Sequence, residues 1–185
     1  MHADFDTAVL GLAMPAGVEA ALREAGEQRG DATRTMAALM RAQALAPEHP
    51  AVLIAFYRHH FYGHRLRLAR DVARRALAIG ARALGLPAVW REVPKVPLPG
   101  ARHDAGTRFF LFALKGYAYL SLRLGDDGDA RDALALLRAL DPHDSVGAAV
   151  LEAVRLRAAA PPDDDAADVA AYVQATGAAA WAALR

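Results

Sequence analysis

Two stretches decide the fold: GDATRTMAALMRAQALAP, from Gly30 to Pro47, and GDDGDARDALALLRALDP, from Gly125 to Pro142. Each runs eighteen residues from a turn glycine through an acid to a closing proline. In the first, Asp31 stands where a helix N-cap belongs, ahead of Met36, Leu39, Met40 and Leu45 at helical spacing. In the second, an aspartate-rich turn (Gly125 to Gly128) precedes Ala130, Ala133, Leu134, Leu137 and Leu140. The proline closes each helix because its ring cannot continue one. The same helical sentence is therefore written twice.

Working outward, each stretch has a partner helix before it. Val18, Ala21, Leu22 and Ala25 form a stripe ahead of the first, and Phe110, Leu111, Leu114, Tyr117, Ala118 and Leu122 form one ahead of the second. Between them, Pro50 suits a first helical turn. Val52, Leu53, Phe56, Tyr57, His60 and Phe61 follow it, Gly63 breaks the run, and Leu66, Ala69, Val72, Ala73, Ala76 and Leu77 resume. The expected units are 16–49, 50–86 and 107–142. A further helix over 144–158, capped by Asp144 or Ser145, is expected next. Pro161 and Pro162 stop it, and a C-terminal capping helix over 164–184 buries Val169, Tyr172, Val173, Thr176 and Ala180.

The segment 87–106, with Pro87, Trp90, Pro94, Pro97, Pro99 and Gly100, is too proline-rich for helix. Its length fits either a packed Ω-type loop or a flap, with Trp90 anchoring it to the scaffold or contacting a partner.

Composition agrees with an all-helical single domain. Hydrophobic residues are 55% of the chain and aromatics only 7%, because alanine and leucine dominate. Cysteine is absent, which excludes disulfides, thiol catalysis, iron–sulfur ligation and thiolate zinc sites. Lys95 and Lys115 are the only lysines and asparagine is missing, a pattern of GC-rich bacterial coding. No apolar run is long enough for a membrane span, and the first residues carry acids where a secretory signal carries bases. The expected location is cytoplasmic.

About 34 residues separate Ala16 from Pro50, and with the helix–turn–helix pattern this resembles the tetratricopeptide repeat family. The third unit supplies the small and bulky positions of that family's second helix in Ala130, Leu134, Leu137 and Pro142; the second supplies Ala69, Ala73, Ala76 and Leu77. The family's first-helix tryptophan is replaced by Leu53 and Leu114, and its tyrosine by His60 and Ser121. The resemblance implies a right-handed stack of antiparallel helix pairs, an α-solenoid whose first helices line a concave groove. It places Arg58, Phe61 and Tyr62 there with Lys115, Tyr119, Leu122 and Arg123, and Trp90 is the candidate contact in the loop. Such a surface suits a peptide or protein of acidic character. Phe61 and Tyr119 would otherwise pack between helices. The family's carboxylate clamp uses asparagines, so a chaperone C-terminus is disfavoured. The stretch APEHPAVLIAFYRHHFYGHRL, Ala46 to Leu66, also resembles repeat proteins encoded near bacterial nitrogen-fixation genes.

Two other chemistries compete with this scaffold. His60 and His64 are four apart, a metal-ligand spacing if both sit on one helix, with His103 as a distant third. Gly63 is expected to end the helix between them, and no HExxH motif is present. From Arg58 to Arg82 seven arginines face one acid, Asp71, which suits nucleic acid, an acidic partner, or simply a solvated face. The aromatics beside them are too few for nucleic acid to be favoured. No nucleophile elbow or phosphate loop is present, and Asp126, Asp127 and Asp129 read as a turn and N-cap. The expectation is a non-catalytic scaffold without cofactor. Its alanine-rich helices also suit a homodimer.

Overall fold

The computed structural model describes residues 14–101 and 103–159, and among these it contains seven α-helices, one 3-10 turn and no strand. The capping helix expected over 164–184 lies outside the described residues. Two compact units divide after Glu152. The second is described only over its first residues, Ala153 to Ala159, which end the last helix.

The helices are α1 (Ala16–Glu27), α2 (Ala32–Leu45), α3 (Pro50–Tyr62), α4 (Leu66–Ala83), α5 (Ala105–Arg123), α6 (Asp127–Leu140) and α7 (Ala149–Ala159). Their starts are set by side chains that accept the orphan amides of a first turn. The Asp31 carboxylate accepts from the N–H groups of Thr33 and Arg34, each at 3.0 Å. Asp104 accepts from Thr107 N–H at 2.7 Å, so α5 begins at Ala105, two residues before the expected Thr107. Pro50 occupies the first turn of α3, with the ring of His49 accepting from Ala51 N–H at 3.3 Å.

Short links join α1 to α2, α3 to α4 and α5 to α6, and the helices of each pair pack along one another as hairpins. A second close packing joins α4 to α5. It depends on a column of small residues: Ala73, Ala76 and Ala81 are buried, and a Cβ added at Gly80 would lie 3.4 Å from the Phe110 backbone. Leu77, Phe110, Leu111, Leu114, Leu134 and Leu137 fill the core around this contact. A second core, of Val18, Leu39, Val52, Leu53, Phe56 and Phe109, joins the first four helices to the start of α5.

Two expectations are corrected. Met40 and Leu45 do not belong to the buried stripe of α2; they are 54% and 60% exposed. Thr35, Ala38, Leu39 and Ala42 face inward instead, and the Thr35 hydroxyl donates to the Gln28 carbonyl at 2.6 Å, so an inward threonine is satisfied. The helix expected from residue 144 begins only at Ala149. Asp144 and Gly147 have φ of +51° and +68°, which a helix cannot contain. The turn they make is closed by the buried Asp141, whose carboxylate accepts from Val146 N–H at 3.0 Å. Asp144 still caps, accepting from the N–H groups of Ala148 and Ala149.

The proline-rich loop is packed, and Trp90 is the reason. It sits on the single 3-10 turn (Trp90–Glu92), is 6% exposed, and lies 5.5 Å from the Tyr117 ring. Val93 is buried beside it. Further along, Leu98 N–H donates to the Leu140 carbonyl at 2.9 Å, satisfying an acceptor left open at the end of α6. Trp90 is thus a scaffold anchor and has almost no surface for a partner.

Candidate functional site

The aromatic ladder of α3 is set by helical spacing: Tyr57 and Phe61 are one turn apart, and their rings stack with centroids 5.8 Å apart and planes 8° from parallel. Gly116 on α5 makes room for the Tyr57 hydroxyl; a Cβ there would lie 3.1 Å from it. One turn further along α5, Tyr119 meets Phe61 at 5.8 Å. Tyr62 stands edge-on to Phe61 at 5.4 Å and is 65% exposed. Arg123 closes the strip, donating to the Tyr119 hydroxyl at 2.7 Å with its guanidinium 5.8 Å above that ring.

The result is a continuous surface of three tyrosines and a phenylalanine ending on a cation. Burial, with help from the neighbouring Tyr119 and Tyr62, pushes the Tyr57 phenol up to about 12, so it stays neutral at any physiological pH. Phe61 and Tyr119 both pack between helices and keep a half-buried face, so the two readings of these side chains are compatible.

Other expected groove residues are placed differently. Arg58 is half-buried on α3, and Leu122 packs against the core. Lys115 is turned to the 141–148 turn, where its ammonium donates to the Val146 carbonyl at 2.6 Å. Burial lowers its pKa, opposed by the attraction of Asp144. Its charge is therefore engaged in holding that turn. The strip thus unites Phe61, Tyr62, Tyr119 and Arg123, and leaves Lys115 and Trp90 to structural work. Tyr57 was missed as a member. Its signal was the i, i+4 spacing to Phe61, together with a glycine in mid-helix at 116.

Four arginines of the 58–82 patch are engaged, three of them by groups on other elements. Arg70 meets Asp126 at 2.9 Å, Arg82 meets Glu48 at 2.9 Å, and Arg74 meets Asp71 at 3.5 Å. Arg75 donates to the Pro47 carbonyl at 3.4 Å. Two of those acids lie outside the sequence window, so the local charge count overstated the field.

The histidine reading fails on geometry. His60 is buried against Phe56 and His59, with Nδ1 unpartnered, whereas His64 lies beyond the Gly63 cap with φ of +56°. The two do not share a helix face, and His103 is exposed at the far end of the loop. Among the described residues no three His, Cys, Asp or Glu side chains converge as a metal site. Burial and the positive charge of Arg65 hold both His59 and His60 below the usual histidine range.

One network was not anticipated. Asp129 accepts from the Tyr117 hydroxyl and from Arg91, whose guanidinium stacks 4.3 Å over Trp90. Burial opposes ionisation of Asp129, but those two hydrogen bonds and the charges of Arg91 and Arg70 outweigh it and hold the carboxyl below its ordinary range. Asp129, in the first turn of α6, therefore ties the loop to α5 and α6.

No known protein family profile matches the chain. No solved structure matches it either. A curated protein of Azotobacter chroococcum mcd 1, described as an uncharacterized 19.8 kDa protein in the nifW 5' region, is 38% identical over 151 residues, spanning 80% of this chain and 84% of the relative. With that identity over that share of both chains, this chain belongs to the family of that nifW 5'-region protein.

Proposed function

We propose that this chain is a non-catalytic interaction scaffold, cytoplasmic, with its hairpins arranged as a tetratricopeptide-like right-handed stack, and that it holds an acidic segment of a partner protein on the strip from Tyr57 to Arg123. The observation that carries this reading is the junction of α3 and α5, where Phe61 meets Tyr119 and Tyr119 in turn orients Arg123. Aromatic rings bury much area at little cost in side-chain entropy, and tyrosine and arginine dominate binding energy at interfaces. Arg123 spends one of its donors on Tyr119, which fixes the fork for a carboxylate on the others. Among the described residues no helix is long and apolar enough to cross a membrane, which suits such a role.

The relative's position in the nifW 5' region directs the search for a partner to proteins made from a nitrogen-fixation locus. The test is capture from lysate of the producing organism, comparing wild type with Tyr62→Ala/Arg123→Glu. Both side chains are exposed, so the variant folds. Loss of a captured protein by the variant, at about 2 kcal/mol or more in the purified pair, supports the strip. Equal capture by both forms refutes it.

A further inference from the structure

We infer that the cleft beside the 141–148 turn is a second ligand site, separate from the aromatic strip, and that it takes a small monocarboxylate. The cleft lies where the loop end (Ala101), one face of α5 (Arg108, Phe112) and the turn (His143, Asp144, Ser145, Val146) meet, and its volume is about 460 Å³. That is within the range of small-molecule sites.

Its chemistry follows from Arg108. The guanidinium is held 6.0 Å over the Phe112 ring, and among the described residues nothing accepts a hydrogen bond from it. Arg41, Arg70, Arg82 and Arg91, by contrast, each meet a carboxylate. Arg108 also sits in the first turn of α5, where the helix dipole disfavours a cation. Its position is therefore not explained by the stability of its own helix. An anion in the cleft would complete it.

The opposite wall is fixed before any ligand arrives. Lys115 holds the Val146 carbonyl, Asp141 holds the Val146 amide, and Asp144 is turned to the amides of Ala148 and Ala149. Asp144 thus cannot serve as the partner of Arg108, yet its charge remains in the wall. A dianion such as phosphate would be repelled by it. A carboxylate pairs with the Arg108 fork at lower total charge, with Ser145 and His143 at the rim as further donors. The rest of the molecule meets a mostly polar wall, of which Phe112, Val146 and Ala101 form the smaller, apolar part. The carboxylate has two sources, a free small acid or the C-terminus of a peptide.

The experiment titrates the full-length ¹⁵N-labelled chain by NMR with benzoate, with inorganic phosphate, and with an N-acetylated dipeptide ending in phenylalanine, as free acid and as amide. Saturable shifts of the Arg108 side chain and of the Ser145 and Val146 amides are expected with benzoate and the dipeptide acid, and none with the amide. Tighter binding of the dipeptide acid assigns the site to peptide C-termini; tighter binding of benzoate assigns it to free acids. Arg108→Gln weakens binding about ten- to a hundredfold, the worth of one charge-assisted pair, with an unchanged melting temperature. Tyr62→Ala/Arg123→Glu leaves it intact, so this site stands or falls apart from the strip. Absence of saturable shifts, phosphate binding as tightly as benzoate, or full binding by Arg108→Gln overturns the inference.

Discussion

Replacing Trp90 with alanine tests whether the proline-rich segment is part of the folded core. The indole is 6% exposed, faces Tyr117 at 5.5 Å and carries Arg91 stacked on its other side at 4.3 Å. Truncation removes nearly the whole buried ring and leaves a cavity beside Tyr117, within the core cluster that also holds Val93 and the α6 leucines. Buried tryptophans truncated in this way cost about 3–5 kcal/mol. For a chain of this length each kcal/mol is worth about 2–4 °C of melting temperature, so a fall of about 6–20 °C is expected. Urea and thermal unfolding followed by circular dichroism give the number. Arg91 and Tyr117 lose their shared surface at the same time, so Asp129→Asn should cost less in the alanine variant than in wild type. A loss below about 1 kcal/mol would refute the reasoning, since a flap that only rests on the scaffold behaves that way.

Three other outcomes follow. Asp129→Asn, in an otherwise wild-type chain, destabilises by about 1.5–3 kcal/mol because two donors lose an ionised acceptor. Its wild-type carboxyl sits below the ordinary range, so that stability is present at neutral pH and fades as pH falls through its folded value; urea midpoints taken across the acid range test this. His59 and His60 are also depressed, so the unfolded chain takes up protons first and stability declines as pH drops from about 7 to about 5. His59→Gln/His60→Gln flattens that slope in melting scans; an unchanged slope sinks the explanation. Gly80→Ala gains about 1 kcal/mol of helix propensity but forces a methyl to 3.2 Å from the Phe109 ring and 3.4 Å from the Phe110 backbone. Overpacking of about 1–3 kcal/mol outweighs the gain, and a more stable variant would show that α4 and α5 have room to part.

Helix positions were legible in the chain because their signals are local. Asp31, Pro50 and Gly63 act within four residues of where they stand, and a 3.6-residue stripe of Val18, Ala21 and Ala25 or of Leu134 and Leu137 has only one face to bury. Alanine at 69, 73 and 76 marked the faces that approach closely, for the same steric reason. The sequence by itself thus determined an all-helical chain, its hairpin boundaries to within a few residues, and the absence of thiol chemistry. Tertiary structure alone decided which side chains meet. Whether Met40 or Thr35 turns inward depends on a carbonyl seven residues away, and whether Arg70 and Arg82 project a field depends on Asp126 and Glu48 from other helices. Helix register alone puts Lys115 in the groove, but the 141–148 turn takes its charge, and Tyr117 and Arg91 make Trp90 an anchor. Charge and burial are sums over neighbours in space, whereas caps, turns and periodicity are written in neighbours along the chain.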